Sequence, residues 1–156
     1  MRKLQGQNRS SVPVYDKIGV DYSLRRKADP QILDQIEKAL SSCATVLNVG
    51  AGTGSYEPPA CTLAVEPSQE MIDQRSRGSA LCIRGTAEQL PLEDRSFDGT
   101  LASLTIHHWD DVEAGLIEMQ RVARKKVVLF TWDPESESDF WLTRGYFPAM
   151  LERDQL

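Results

Sequence analysis

The sequence predicts one α/β domain with a mainly parallel sheet of about five strands and helices on both faces. Short apolar, β-branched runs alternate along the chain with stretches whose apolar residues recur at helical spacing, an alternation typical of βα units. The chain has 156 residues, which suffices for one hydrophobic core and is too short for two.

The predicted strands are apolar runs bounded by glycine, proline or polar residues. The first runs directly into a glycine-rich turn, and its apolar residues hardly alternate with polar ones. Such a run is typical of a strand buried on both faces of a parallel sheet. The five predicted strands are residues 44–49, 61–65, 80–83, 97–106 and 126–132.

Helices are predicted between these strands. The first begins at Asp29-Pro30, with an acceptor side chain at the cap and proline at the first helical position, and ends near Ser42. Two more are predicted at 68–77 and 112–124, and aromatic residues at helical spacing predict another near the C-terminus. The single domain is thus divided into an N-terminal segment, a core and a C-terminal helical segment, at residues 1–28, 29–134 and 135–156.

Composition and charge argue against several classes of partner. The formal net charge is −5 and basic residues are scattered among acidic ones, so no nucleic-acid partner is expected. No apolar run is long enough to cross a bilayer and the first residues lack the apolar part of a signal peptide, so no membrane partner and a cytoplasmic location are expected. Three cysteines without a CxxC pair favour a reducing compartment and no metal site.

A GxGxG turn, Gly50-Ala51-Gly52-Thr53-Gly54, follows the first predicted strand. Glycine allows a sharp bend and lets a ligand approach the backbone more closely than a Cβ atom would permit. Glu66 ends the second predicted strand, and because neighbouring parallel strands end at the same edge, its carboxylate is expected beside the turn, where it can accept ribose hydroxyls. Taken singly, the turn could be an ordinary tight turn and Glu66 a helix cap or a surface charge.

From about Tyr15 to Met150, these blocks resemble the class I S-adenosylmethionine (SAM) dependent methyltransferases, especially small bacterial-type enzymes with the motif VLDxGxGTG. Here the motif reads VLNVGAGTG at residues 46–54. The resemblance implies a Rossmann-like fold without the family's last two strands, SAM as cofactor, S-adenosylhomocysteine (SAH) as product and a small-molecule methyl acceptor.

The resemblance also implies which residues meet the cofactor. The glycine turn cradles the amino acid part of SAM, Glu66 binds the ribose, the segments around Met71 and Ala87 flank the adenine, and an N-terminal lid carries Tyr15 and Tyr22. The candidate cofactor-binding residues are Tyr22, Asn48, Gly50, Ala51, Gly52, Glu66, Pro67, Ser68, Met71, Thr86, Ala87, Glu88 and Ser103.

Two departures from the family pattern bear on the cofactor. Asn48 stands where the family usually has aspartate, which keeps a hydrogen-bond acceptor and removes a negative charge. Only six residues separate Gly54 from Cys61, including Pro58-Pro59, so the crossover helix is expected to shrink to about one turn. This disfavours a nicotinamide dinucleotide, whose pyrophosphate needs a helix N-terminus.

No catalytic residue is predicted, because methyl transfer depends mainly on alignment and exclusion of water. Either His107 or His108 is a candidate general base, because imidazole can take a proton near neutral pH. Adjacent residues at a strand end are expected to point in opposite directions, so anchoring of the loop is the favoured interpretation.

The favoured hypothesis is therefore a SAM-dependent methyltransferase acting on a small molecule. The alternative is a module that binds SAM or SAH without a complete acceptor site, because family members generally continue past the fifth strand whereas this sequence stops at Leu156. A nicotinamide-dependent oxidoreductase is a third, less favoured hypothesis. An open edge beside the fifth strand would favour a homodimer contact or a covering C-terminal helix.

Overall fold

The computed structural model describes Pro13, residues 15–19 and residues 27–132. These residues form a five-stranded sheet whose strands are β1 (Val46–Val49), β2 (Cys61–Glu66), β3 (Leu81–Arg84), β4 (Phe97–Ser103) and β5 (Ala123–Phe130). Their order across the sheet is β3-β2-β1-β4-β5, and every neighbouring pair is parallel. The predicted α/β fold class is confirmed.

Helices connect these strands and cover the sheet. The helix that begins at Pro30 has Asp29 as its N-cap, whose carboxylate accepts the backbone N–H of Gln31 at 2.8 Å, as the Asp-Pro pair predicts. None of the helices in the described part of the chain is long and apolar enough to cross a membrane. The helices are α1 (Tyr15–Ile18), α2 (Pro30–Ala39), α3 (Gln69–Asp73) and α4 (Val112–Val122), with a 3-10 turn at Ile106–His108.

The core lies on both faces of β1. On one face Leu47 and Val49 pack in a cluster with Met119 of α4. On the other face Val46 packs with Ile36 of α2. Because β1 lies in the middle of the sheet and both faces are covered, all four of its residues are buried.

Several predicted element ends are wrong. The helix predicted at 112–124 ends at Val122, and β5 begins at Ala123 rather than at residue 126. The side chains of Arg124 and Lys125 reach the carboxylate of Asp98 at the start of β4, at 3.0 and 3.1 Å. The chain is therefore already paired with β4 where a last helical turn was expected.

The strand predicted at 97–106 ends at Ser103. Leu104 has a positive φ of 52° and donates its N–H to the carbonyl of Phe130 at 2.7 Å, so the backbone turns away before the 3-10 turn. The helix predicted at 68–77 is limited to Gln69–Asp73.

The expected short crossover helix is absent: residues 50–60 connect β1 to β2 through turns alone. The predicted C-terminal helical segment at 135–156 and most of the N-terminal segment at 1–28 lie outside the described residues.

Candidate functional site

A cavity of about 320 Å³ lies beyond the carboxyl ends of β1, β2 and β4, the edge where parallel sheets bind ligands. The candidate residues that line it are Gly50, Ala51, Gly52, Glu66, Pro67, Ser68, Met71, Thr86, Ala87, Glu88 and Ser103. Two candidates are not among the lining residues. Asn48 is buried beneath the turn, and Tyr22 lies outside the described residues.

The glycine turn requires glycine at two positions. Gly50 and Gly52 have φ values of 65° and 54°, in the left-handed region that other residues adopt at a cost. A Cβ atom on Gly50 would lie 2.9 Å from the Cβ atom of Thr105, and one on Gly52 would lie 3.3 Å from the terminal methyl of Met71. A Cβ atom at either position would therefore crowd a side chain that lines the cavity, and the turn keeps this close packing only with glycine.

The carboxylate of Glu66 ties this turn to the start of α3. One oxygen accepts the N–H of Gly52 at 2.7 Å and the other accepts the N–H of Ser68 at 3.0 Å. The residue is only 5% exposed. Burial raises the pKa of this carboxyl above its ordinary value, and the two backbone N–H groups and the charge of Arg75 partly oppose that shift.

The segments after β2 and after β3 both line the cavity. Ser68 caps α3 by accepting the N–H of Met71, which is buried. After β3, Ala87 is buried, and Glu88 accepts the N–H of Asp110 at 2.9 Å. The Glu88 side chain thereby joins the segment after β3 to the segment before α4.

The described part of the N-terminal segment contacts the same cavity. Tyr15 lines it and shares a 3.0 Å hydrogen bond with Nε2 of His108. Asp16 accepts the hydroxyl of Ser68 at 2.6 Å, which holds the pKa of the Asp16 carboxyl below its ordinary value. Gln74 donates to the carbonyl of Gly19 at 2.6 Å. These bonds join α1 and the residue after it to the 3-10 turn and to α3.

The expectation that His107 and His108 point in opposite directions is wrong. Their ring centroids lie 3.7 Å apart, and the ring of His107 lies 3.9 Å from that of Trp132. Both residues belong to the 3-10 turn rather than to a strand, so the alternation of side chains along a strand does not apply. His108 lines the cavity beside Tyr15.

Asn48 contacts the loop between β1 and β2. The side chain, 1% exposed, donates to a carboxylate oxygen of Glu57 at 3.2 Å. Its own amide oxygen has no hydrogen-bond partner among the described residues. The amide therefore lies behind the turn, whereas the resemblance implied a direct cofactor contact.

Further residues line the cavity that the sequence analysis did not single out. Most of them belong to loops that follow strand ends, and taking each loop after a predicted strand as a whole would have included them. They are Pro13, Lys27, Thr53, Ser55, Tyr56, Leu104, Thr105, Trp109 and Asp110.

Residues 47–131 match a family model described as a methyltransferase domain. An uncharacterized methyltransferase of Mycobacterium tuberculosis is 31% identical over 121 residues, which cover 72% of this chain and 49% of that protein. The chain spans about half the length of such curated relatives.

Solved structures show the same similarity. A protein of Anabaena variabilis, named as a methyltransferase from an antibiotic biosynthesis pathway, is 35% identical with a TM-score of 0.71, over 81% of this chain and 55% of that one. A protein of Thermotoga maritima, named as a SAM-dependent methyltransferase and possible histamine N-methyltransferase, is 30% identical with a TM-score of 0.64, over 73% of this chain and 58% of that one.

Proposed function

Because this chain belongs to the methyltransferase domain family, we propose that it binds SAM in the cavity and transfers the methyl group to a small-molecule acceptor. The observation that carries the proposal is the buried carboxylate of Glu66 beside a turn that requires glycine. A carboxylate in this position can accept hydrogen bonds from ribose hydroxyls, and bare backbone lets the amino acid part of a ligand approach closely.

The residues of the cavity suit an adenosyl ligand. Gly50 packs against Thr105, and Gly52 presents backbone without a Cβ atom to the cavity beside Met71. Met71 and Ala87 are buried apolar side chains that line the cavity, suited to contact with an adenine ring. The crossover has no helix whose N-terminus could receive a pyrophosphate, which argues against a dinucleotide.

Bound SAM would supply a methyl group attached to a positively charged sulfur. When the methyl group is transferred, that sulfur leaves as the neutral thioether of SAH. The chain contributes alignment and exclusion of water. Tyr15, Tyr56 and His108 line the same cavity, and we assign to them the side of the cavity that receives the acceptor. The volume of about 320 Å³ and the net charge of −5 favour a small molecule over a polyanion.

Thermal melts with SAH, SAM and NADH test the binding part of this proposal. A ligand at 100 times its Kd adds about 2.7 kcal/mol of stability, which raises the Tm of a domain of this size by roughly 5–11 °C. We expect this shift with SAH and SAM and none with NADH. Glu66→Ala should abolish it because the ribose hydroxyls lose their acceptor.

Glu113→Ala is the matched control, since Glu113 is an exposed glutamate outside the cavity lining; its shift should equal that of the wild type. Absence of a shift with SAH, or an equal shift with NADH, would contradict the proposal. Formation of SAH in the presence of candidate acceptors then tests methyl transfer itself.

A further inference from the structure

The glycine turn is held from two sides. On one side Glu66 accepts the N–H of Gly52. On the other side Arg75 donates from Nη1 to the carbonyl oxygen of Gly52 at 3.1 Å. The N–H and the carbonyl of Gly52, at the cavity wall, are therefore both bound by side chains. The connection between β1 and β2, to which Gly52 belongs, has no helix to support it.

Arg75 follows α3 and forms a buried ion pair with Glu57, which lies in the connection between β1 and β2. The side chains are 5% and 7% exposed. Arg75 also donates to the carbonyl of Ala80 at 3.1 Å, and Glu57 accepts the N–H of Ala80 at 3.2 Å. The pair thus joins the glycine turn, the end of α3 and the residue before β3.

A buried ion pair is weak evidence of a role in stability. Desolvation of the two charges offsets much of their attraction, and replacing both partners with neutral groups is often tolerated, whereas removing one partner leaves an uncompensated buried charge. The contacts of this pair instead indicate a geometric role, because one hydrogen bond of Arg75 ends on the turn that lines the cavity.

The Asn48 side chain contacts the Arg75–Glu57 ion pair. Its amide N–H₂ donates to the same Glu57 oxygen that pairs with Arg75. An aspartate at position 48 would place a second carboxylate directly against Glu57, where the Asn48 amide now donates at 3.2 Å, and like charges at that distance repel. The amide at the end of β1 therefore complements a carboxylate supplied by the following loop.

We propose that Arg75 is a positioning residue for the cofactor-binding turn, held in place by Glu57 and Asn48 and acting through the carbonyl of Gly52. The cluster replaces the support that a crossover helix would give. The assignment of this turn to SAM rests on the proposed function above. The positioning of the turn itself does not.

The test uses the double variant Arg75→Met/Glu57→Gln, which removes both charges and so avoids an unpaired buried charge. We expect its ligand-free Tm to stay within about 5 °C of the wild type. Hydrogen exchange measured by NMR should show the Gly52 amide exchanging at least about tenfold faster, because the turn opens more often, while amides of β4 keep their wild-type rates. The SAH Kd, measured by calorimetry, should rise about tenfold or more.

Arg77→Met is the matched control, because Arg77 is an exposed arginine two positions further along; it should leave both readings unchanged. A Gly52 exchange rate in the double variant equal to that of the wild type would overturn the inference. So would faster exchange with an unchanged SAH Kd. If the wild type binds no SAH, the proposed function fails, and the exchange rate alone decides whether Arg75 positions the turn.

Moving the carboxylate from position 57 to position 48 tests whether charge, rather than packing, accounts for the effect on the turn. Asn48→Asp should speed Gly52 exchange and weaken SAH binding, since it adds a second buried carboxylate. Asn48→Asp/Glu57→Gln returns the cluster to one carboxylate and one guanidinium and should recover most of both losses. Equal behaviour of the single and the double variant would contradict the charge matching on which the inference depends.

Discussion

The side chain of Thr105 occupies the space into which a Cβ atom at Gly50 would project. Gly50→Ala should therefore combine backbone strain at a positive φ with overlap, and lower the free energy of unfolding by about 2 kcal/mol or more. Urea denaturation measures the loss. Gly78→Ala is the control, because a Cβ atom there meets nothing within 4 Å; its effect should stay within about 1 kcal/mol. Equal stabilities of the two variants would contradict the packing at Gly50.

Glu66 gives a second residue-level prediction, because its buried carboxyl has a raised pKa. The affinity for SAH should begin to fall on acidification at a pH above the ordinary glutamate range, since the protonated carboxyl is a weaker acceptor for ribose hydroxyls. Calorimetric titrations between pH 8 and pH 5 measure this loss. Glu66→Gln, already neutral, should bind more weakly at pH 8 and show a flat profile. A wild-type affinity constant over this range would contradict the assigned role.

The raised pKa of Glu66 affects folding stability in the opposite direction to ligand affinity. A raised carboxyl pKa means that the folded chain binds this proton more tightly than the unfolded chain does. The contribution of Glu66 to stability is therefore present at low pH and is lost as the pH rises through the folded pKa. Ligand binding and folding thus favour different protonation states of one side chain.

Residues of the candidate site could be predicted from the sequence where a short stretch of neighbouring residues identified them. Gly50 and Glu66 each end a recognisable strand, and their place at the sheet edge follows from parallel topology. Thr105 and Tyr56 reach the cavity through tertiary packing that leaves no local pattern. Asn48 lies behind the turn because Glu57, nine positions further along, reaches its amide.

At the scale of elements, Asp98 joins three segments of the sheet. It accepts the N–H of Ala44 at 2.9 Å and pairs with Arg124 and Lys125 of β5. The Ala44 N–H, followed by the hydrogen bond from Lys125, lowers the pKa of Asp98 to about 2. A lowered carboxyl pKa contributes stability above the unfolded value near 3.8, and this stability is lost as the pH falls toward 2.

Asp98→Asn should therefore lower the urea midpoint at pH 7, and the difference from the wild type should shrink as the pH falls from 4 toward 2. Urea denaturation over this range measures both effects. Asp34→Asn is the control, because Asp34 belongs to an exposed pair with Lys38, a kind of pair that contributes little. A difference that stays constant down to pH 2 would assign the effect of Asp98→Asn to packing.

Element existence was easier to predict than element ends. Each of the five strands was predicted from its apolar run. Burial on both faces imposes that composition on β1, whereas the edge strands β3 and β5 keep apolar residues that are exposed or half-buried. The junction of α4 and β5 was wrong because the periodicity of a helix continues through Arg124, while the ion pairs with Asp98 place that residue in a strand. Tertiary contacts decide such ends.

Across the whole molecule, the two core clusters lie on opposite faces of the sheet and β1 contributes to both. The alternation of strands and amphipathic helices was sufficient to predict this layered arrangement. The way the β1–β2 connection is supported could not be predicted, because its buried polar cluster joins residues from separate parts of the chain, Asn48, Glu57 and Arg75.

The central position of β1 also has a consequence for the order in which the molecule forms. During synthesis β2 follows β1 closely and can pair with one of its edges, whereas the other edge pairs with β4, which emerges from the ribosome later. Contacts that are distant along the chain form slowly because a long loop must close first. Thr105, which packs on Gly50, follows β4 directly. The nascent chain can therefore hold a complete glycine motif well before it holds a complete binding site.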